Sequence, residues 1–509
     1  MKKRRKTDGQ GKRSCRGIVA MMLALCLLAM TACGPQGSNG EIKASGAAEN
    51  NQPGETIILR ILENDTAKSE GYLQELLDAF NAAYADQGIQ AVDANMDEYT
   101  DLATNGPYGY GPDVLYQAND KLMTYAGDRH ILPLSIEEYE CFDQIPQEAW
   151  DAFKLVVDGQ IYYCGVPVNI QEPMLFYRTD KMPEDWETEW DDDQNGVADF
   201  FENWNDMYAY SKYLRDTDPS AGKESQYGFM ASLNNLYLSA QFIFSYGAYV
   251  FGEKEGVLDP ADIGFSAGNT VNGLAALKQM AALMNEGCID DTITLNRYEK
   301  LANGNYFCAV STPDTLTLFI SKLAAKYEAE GMSSEKALVK AQENIQMIEM
   351  PAKMPADGDL TRDSSTMTDQ DWVDTVVMGG VNGYGISSYT EHRDACVEFV
   401  NFATSYEMIK LRCEMLGIAP TRKDVAQVSG DTADVIFNSL AAGRIYLMPS
   451  IKAVDQIWVP TQTILGDVAK DPFREKKGEA VKYPTTTELQ AALETIDKNI
   501  YDAVHTLAE

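Results

Sequence analysis

The chain runs to 509 residues, ample for two or three cores when a domain takes ~100–200 residues. Apolar residues make up 45% and charged residues 23%, the balance of an ordinary globular protein. Its 42 Lys/Arg stand against 77 Asp/Glu, a net charge of −35, and such a surface repels nucleic acid and excludes it as a partner.

The chain opens on a basic leader, MKKRRKTDGQGKRSCR, followed by the apolar run GIVAMMLALCLLAMTA. That run is short for a bilayer span, which takes ~20 residues. A basic leader, a short apolar core and small residues before a cut make residues 1–32 a secretory signal. The cut falls within LAMTAC, which would make Cys33 the first mature residue. The stretch resembles the lipobox of bacterial lipoproteins, with Met30 where Leu is commoner. The resemblance implies that Cys33 is acylated and holds the protein at the extracytoplasmic face of the cell membrane, each buried CH₂ contributing ~0.8 kcal/mol. Without the leader's eight Lys/Arg and one Asp the chain carries 34 basic and 76 acidic residues, net −42, which reads as solubility outside the cell.

Residues 33–55 are rich in Gly, Ser, Asn and Ala and read as a flexible tether, since they offer little apolar surface to bury. Folded structure is expected near Thr56 with TIILRIL, a β-branched and Leu-rich run typical of a buried strand. GYLQELLDAFNAAYADQG then places Leu73, Leu76, Leu77, Phe80 and Tyr84 on one helical face and stops at Gly88, as helices often do. NGLAALKQMAALMNEG aligns Leu274, Leu277, Ala281 and Met284, and RDACVEFVNFATS aligns Cys396, Phe399, Val400 and Ala403. SKLAAKYEAEGMSSEKALVKAQENIQ predicts an exposed helical pair, and AKMPADGDLTRDSSTMTDQD a polar surface loop. The last helix opens on Thr485 and Glu488, spaced for a capping box. It then lines up Leu489, Leu493, Ile496 and Ile500. Short apolar strands such as PDVLY and VNGYGIS fall between helices, a pattern of sheets covered by helices and so an α/β fold. Cys141, Cys164, Cys288, Cys308, Cys396 and Cys413 form no C-x-x-C pair. They read as core thiols, with their connectivity left open.

WDDDQNGVADFFENW has the spacing of a calcium loop over 191–202. Asp191, Asp193, Asn195, Asp199 and Glu202 supply oxygens at alternating positions, Gly196 permits the turn and Val197 offers its carbonyl. A proper incoming helix is not evident in KMPEDWETEW. The expectation is therefore a single EF-hand-like loop feeding the helix FFENWNDMYAYSKYL, with Ca²⁺ as a structural brace that stays occupied outside the cell.

Three segments carry a wider resemblance. They are GPDVLYQANDKLMTYAGDRHILPL, GQIYYCGVPVNIQEPMLFYRTDKM, and LAAGRIYLMPSIKAVDQIWVPTQTIL. In that order and spacing they resemble the extracellular solute-binding proteins of ABC importers, in the branch of the maltose/maltodextrin-binding proteins. Weaker agreement in YGAYVF and RYEKLANGNYFCAVSTP extends the match over most of residues 56–509. The resemblance implies a two-lobed periplasmic-binding-protein (type 2) fold with hinge crossovers and a ligand cleft between the lobes. One lobe would take 56–170 with 374–425 and the other 171–373 with 426–509, the chain crossing near Asn169–Gln171 and around 423–432.

By the same resemblance Trp458 and Tyr237 are sugar-stacking aromatics, Asp65 and Asp120 accept sugar hydroxyls, and Lys121 is their cationic neighbour. Gln117 and Asp314 stand where maltose binders have tryptophans. Gln171, beside Glu172, replaces a glutamate, and Gln462 replaces an arginine. These departures leave a polar, sugar-like cleft but count against maltose itself. The expected protein is a monomeric, lipid-anchored binder that captures a carbohydrate and passes it to the permease subunits. A peptide or polyamine is the alternative solute. A phosphorylated one would want more cleft cations than Lys121. A surface glycosidase is the enzymatic alternative, but no H-E-x-x-H or P-loop occurs, and the only histidines are His130, His392 and His505.

Overall fold

The computed structural model describes residues 56–98, 100–157, 159–217, 226–254, 257–294, 296–427 and 431–508. The leader, Cys33 and the tether over 33–55 lie outside them. Among the described residues no helix is long and apolar enough to cross a membrane.

Strands β1 (Ile57–Leu62), β2 (Ile89–Asp93), β3 (Val114–Ala118) and β4 (Val166–Gln171) come first along the chain. β5 (Met174–Arg178), β6 (Tyr227–Met230), β7 (Tyr306–Ser311) and β8 (Ile345–Ile348) follow, then β9 (Val377–Ile386), β10 (Ala419–Pro420) and β11 (Ile445–Leu447). They form two main sheets. The larger runs β10-β4-β9-β3-β1-β2, with β11 also on β9, and the smaller runs β8-β5-β7-β6. In the larger sheet β1 is parallel to β2 and β3, whereas β9 is antiparallel to both β3 and β4. The chain passes from one sheet to the other between β4 and β5, with only Glu172 and Pro173 between them, and again between β8 and β9.

β9 shows how the sequence dictates its place. All ten residues of VMGGVNGYGI are buried, because neighbours flank the strand on both edges. Its glycines permit close approach. A Cβ on Gly383 would lie 2.4 Å from the Val166 carbonyl oxygen and 2.8 Å from the Phe153 ring. β1 is less enclosed than a continuous apolar run implies. Leu59, Ile61 and Leu62 are buried but Ile58 is 53% exposed, since β3 covers only the far end, at Ile61 and Leu62.

The helices follow the apolar spacing. α1 (Tyr72–Tyr84) buries Leu73, Leu76, Leu77 and Phe80, with Tyr84 stacked on Phe80 at 4.4 Å. Gly88, at φ 70°, ends the turn that follows. α2 (Asn119–Gly127) leaves β3 directly, and α3 (Trp204–Thr217) follows the acidic loop. α4 (Thr270–Ala282) buries Leu274, Leu277 and Ala281, while α5 (Leu316–Ala329) and α6 (Ser334–Asn344) are the helical pair. α7 (Arg393–Ala403) buries Cys396, Phe399, Val400 and Ala403, and α8 (Tyr406–Leu416) follows it. α9 (Trp458–Lys477) packs on α4, and α10 (Thr486–Ala508) on the hairpin strand Val257–Gly264.

Thr485 and Glu488 close the capping box at α10. Thr485 N–H donates to Glu488 Oε2 at 3.1 Å, and Glu488 N–H donates to Thr485 Oγ1 at 3.2 Å. The six described cysteines are buried, as expected of core thiols. The 352–371 segment is less irregular than its polarity implied: Lys353–Pro355 pairs antiparallel with Trp372–Asp374.

One buried charge pair braces the larger sheet. Arg412 of α8 donates from Nη1 and Nη2 to Glu63 at 2.8 and 2.9 Å, with both side chains fully buried. The Tyr384 hydroxyl also donates to Glu63, and the Arg412 guanidinium lies 3.9 Å from the Tyr116 ring centroid. Glu63 directly follows β1 and precedes Asn64, the cap of the helix Asp65–Ser69, so this pair anchors the start of that stretch.

Candidate functional site

The larger sheet delivers its residues from strand ends. After β1, Asn64 caps the short helix Asp65–Ser69, its Oδ1 accepting from Ala67 N–H at 2.8 Å. Asp65 is exposed, and its N–H donates to Glu98 Oε2 at 2.7 Å. Gln117, near the end of β3, donates from Nε2 to the Glu98 carbonyl. Glu98 therefore ties two expected site residues together, though no motif marked it. Asp120 and Lys121 open α2, and Lys121 Nζ lies 4.9 Å from the Tyr125 ring centroid. Burial pushes the Asp120 carboxyl up to about 6, and the charge of Asp455 adds to the rise. Backbone N–H groups at this helix start oppose it, as the positive end of a helix dipole should.

The smaller sheet and its helices supply the rest. Asp314 lies in the turn after β7, where burial raises its carboxyl while Thr312 and the charges of Arg297 and Arg412 lower it. Its Oδ1 is buried without a hydrogen-bond partner among the described residues. Tyr237, in the turn Leu236–Ser239, donates its hydroxyl to the Gln171 carbonyl at 3.2 Å. Burial raises the pKa of that phenol, and the charges of Asp314, Glu172 and Asp120 raise it further. Asp314 also acts on Tyr116 of β3. Carboxylates positioned by both sheets thus converge on one tyrosine at the end of β4.

Trp458 begins α9 and is half-buried against the core. Asp455, in the preceding turn, is the residue whose charge reaches Asp120. Gln462 stands one helical turn beyond Trp458 on the same face and donates to Asp291 Oδ2 at 2.8 Å. Asp291 also accepts from Ser232 Oγ at 3.0 Å and Asn234 Nδ2 at 3.3 Å. The structure therefore gathers Asp120, Gln171, Glu172, Tyr237 and Asp314. It places Asp65 with Gln117 around Glu98, and Gln462 on a separate Asp291 cluster. Glu98, Asp291, Asn234 and Asp455 had no sequence signal, because each lies in a turn that tertiary folding alone brings into place. The combined surface offers carboxylate acceptors, amide groups and aromatic faces, chemistry suited to a neutral ligand rich in hydroxyls.

The acidic loop closes on itself. Asp191, 7% exposed, accepts from Asn195 N–H at 3.0 Å and Gly196 N–H at 3.1 Å. Asn195 Nδ2 donates to Glu202 Oε1 at 2.6 Å, and Asp199 N–H donates to the Trp190 carbonyl at 2.6 Å. Burial pushes the Asp199 carboxyl up to about 6, with the charges of Asp206, Asp192 and Glu202 adding to it. The incoming element is the single turn Trp186–Glu189, and the outgoing helix starts at Trp204, after the turn Asp199–Phe201. The loop contains the hard oxygen donors of a calcium site. As they stand, no three His, Cys, Asp or Glu side chains among the described residues gather to hold a metal ion.

Known proteins extend the picture. The chain is 24% identical over 473 residues to the galactooligosaccharide-binding protein of Bacillus subtilis (strain 168), covering 89% of this chain and 91% of that one. It is 26% identical over 210 residues to the maltodextrin-binding protein MdxE of the same organism, covering 41% and 44%. The maltose-binding periplasmic protein MalE of Listeria monocytogenes, solved in complex with maltose, superposes with a TM-score of 0.60 at 16% identity, over 88% of this chain and 98% of that chain. That likeness shows the two-lobed type 2 periplasmic-binding-protein fold. Residues 75–438 match the family model of bacterial extracellular solute-binding proteins, and the chain belongs to that family.

Proposed function

We propose that the protein captures a carbohydrate between its two sheets and delivers it, chemically unchanged, to an ABC permease. The observation that carries this reading is the convergence of Asp120 and Asp314, one from each sheet's side, on Tyr237. Buried acceptors of this kind suit sugar hydroxyls, because leaving one unpaired costs ~1–3 kcal/mol. The names of the two Bacillus relatives, for galactooligosaccharide and maltodextrin, support an oligosaccharide. Gln117 and Asp314, in place of aromatic platforms, favour a ligand other than maltose. The test is a titration with galactooligosaccharides, maltodextrins, peptides and polyamines, read by calorimetry and by Trp fluorescence, with chromatography for products. Saturable binding of a glycan without product is expected. Binding of peptides or polyamines alone, or release of cleaved sugar, would overturn it.

The lipid anchor belongs to the same proposal. Cys33 carries it, and mass spectrometry of the membrane-bound protein should find acyl chains on Cys33 that a Cys33→Ala variant lacks. The loop at 191–202 is proposed to take calcium, which would draw Asp191, Asp193, Asn195, the Val197 carbonyl, Asp199 and Glu202 around one ion as a brace. Terbium luminescence sensitised by the adjacent Trp190 should report binding and vanish in Glu202→Gln, while sugar affinity stays unchanged. Equal luminescence in both proteins would remove the loop from consideration.

A further inference from the structure

Glu172 occupies a position unlike the other acidic residues of the site. It lies between β4 of the larger sheet and β5 of the smaller, in a connection of two residues. Its side chain is 3% exposed, and its Oε1 has no hydrogen-bond partner among the described residues. The space beside it is about 10 Å³, the lower limit for one water at ~10–15 Å³. That space is lined by Glu349, Met350 and Ala352 after β8, by Thr375 and Val377 entering β9, and by Ser439 and Arg444 before β11. Both connections between the sheets therefore meet at this carboxyl.

The charged groups facing it are few. Glu349 repels its ionised form and Arg444 favours it. These two are already engaged with each other, since Arg444 Nη2 lies 3.0 Å from Glu349 Oε1, which also accepts from Ser439 Oγ. The Tyr237 phenol also feels the charge of Glu172, together with those of Asp314 and Asp120. The segment entering β9 presents no titratable group to the cavity, and Lys353 and Asp374, just outside it, pair with each other at 2.5 Å. An ionised Glu172 would thus be a dry carboxylate with one half-committed cation near it.

We propose that Glu172 is a proton switch at the hinge, holding a proton while the two connections pack as described and releasing it when they part and admit water. Burial pushes its carboxyl up to about 8, with the charge of Glu349 adding and Arg444 opposing. The packed arrangement then binds a proton that the parted one does not, over the window from the ordinary carboxylate range to about 8. Linkage sets the sign: rising pH favours the parted arrangement across that window and has no further effect above it. As a deepening of the proposed sugar capture, affinity should fall by up to about tenfold per pH unit in the window, with uptake of up to one proton per ligand bound.

The experiment compares the wild type with Glu172→Gln, and with Glu172→Met as a second variant that fills the space without an acid. Three readouts are followed against pH: the melting temperature, the ligand-free radius of gyration in solution scattering, and proton uptake on binding a galactooligosaccharide mixture. The wild type should lose melting temperature and expand as pH rises towards about 8, and both variants should lack these trends above about 6, where the Asp120 contribution has ended. Parallel profiles in all proteins would overturn the proposal. A shifted melting profile with an unchanged radius would make Glu172 a buried acid without a role in the hinge. A dependence on sodium at fixed pH would mean a metal cation and not a proton. If no sugar binds but the melting and scattering profiles differ as expected, the carbohydrate reading fails and the hinge proposal stands.

Discussion

Arg412 shows what one residue can hold in place. It satisfies Glu63 through two hydrogen bonds inside the core and lies against Tyr116. Removing one member of such a pair strands the other charge away from water. Arg412→Ala should therefore cost ~3–5 kcal/mol in urea unfolding, more than Arg412→Met combined with Glu63→Gln, which leaves no unpaired charge. Asp120 supports a prediction of a different kind. Its carboxyl, pushed to about 6 mainly by burial, is the stronger acceptor when ionised. Its own contribution to sugar affinity should weaken as pH falls through about 6, opposing the Glu172 trend there, so below about 6 calorimetry should show affinity rising more steeply with falling pH in Asp120→Asn than in the wild type. The stability term has the opposite sign. A raised carboxyl binds its proton in the folded state first, so its contribution is full at low pH and declines as pH rises to about 6. At this scale the sequence marked Asp120, Tyr237 and Asp314 only through a family resemblance. It could not mark Glu98 or Asp291, whose partners lie 33 and 171 residues away, at Asp65 and Gln462.

Elements were more legible than contacts wherever a period of 3.6 or 2 had room to repeat. The apolar faces of α1, α4, α7 and α10 stand where their spacing put them, and the capping box at Thr485 and Glu488 closed as read. Thr485→Ala should accordingly cost about 1 kcal/mol and speed hydrogen exchange in the first turn of α10 but not in α9. Three-residue turns left no such trace. Asp199–Phe201 and Asp291–Ile293 are too short to show a period, yet they set the acidic loop and the Gln462 partner. The helix expected from Phe200 starts at Trp204 for the same reason: Phe200 and Phe201 bury their rings in a tighter turn first. β9 was legible as a strand, but its central place came from glycines whose meaning depends on Val166 and Phe153 lying against them.

For the whole molecule, the decisive property is that both sheets contribute to the candidate site while exchanging chain at few points. Asp120 belongs to the larger sheet's side and Asp314 to the smaller's, yet both charges reach Tyr237. A ligand that touches all three binds only the arrangement that gathers them, so its binding energy also holds the sheets together. Stabilisation should follow the free ligand concentration, reaching ~2.7 kcal/mol at a hundredfold excess over Kd. A bound sugar should therefore raise the melting temperature and contract the radius of gyration together. Asp314→Ala, which removes the smaller sheet's acceptor, should weaken both effects in the same proportion. A sugar held by one sheet alone would still raise the melting temperature but leave the radius unchanged. Scattering and melting on the same samples therefore separate capture between the sheets from binding on the face of either.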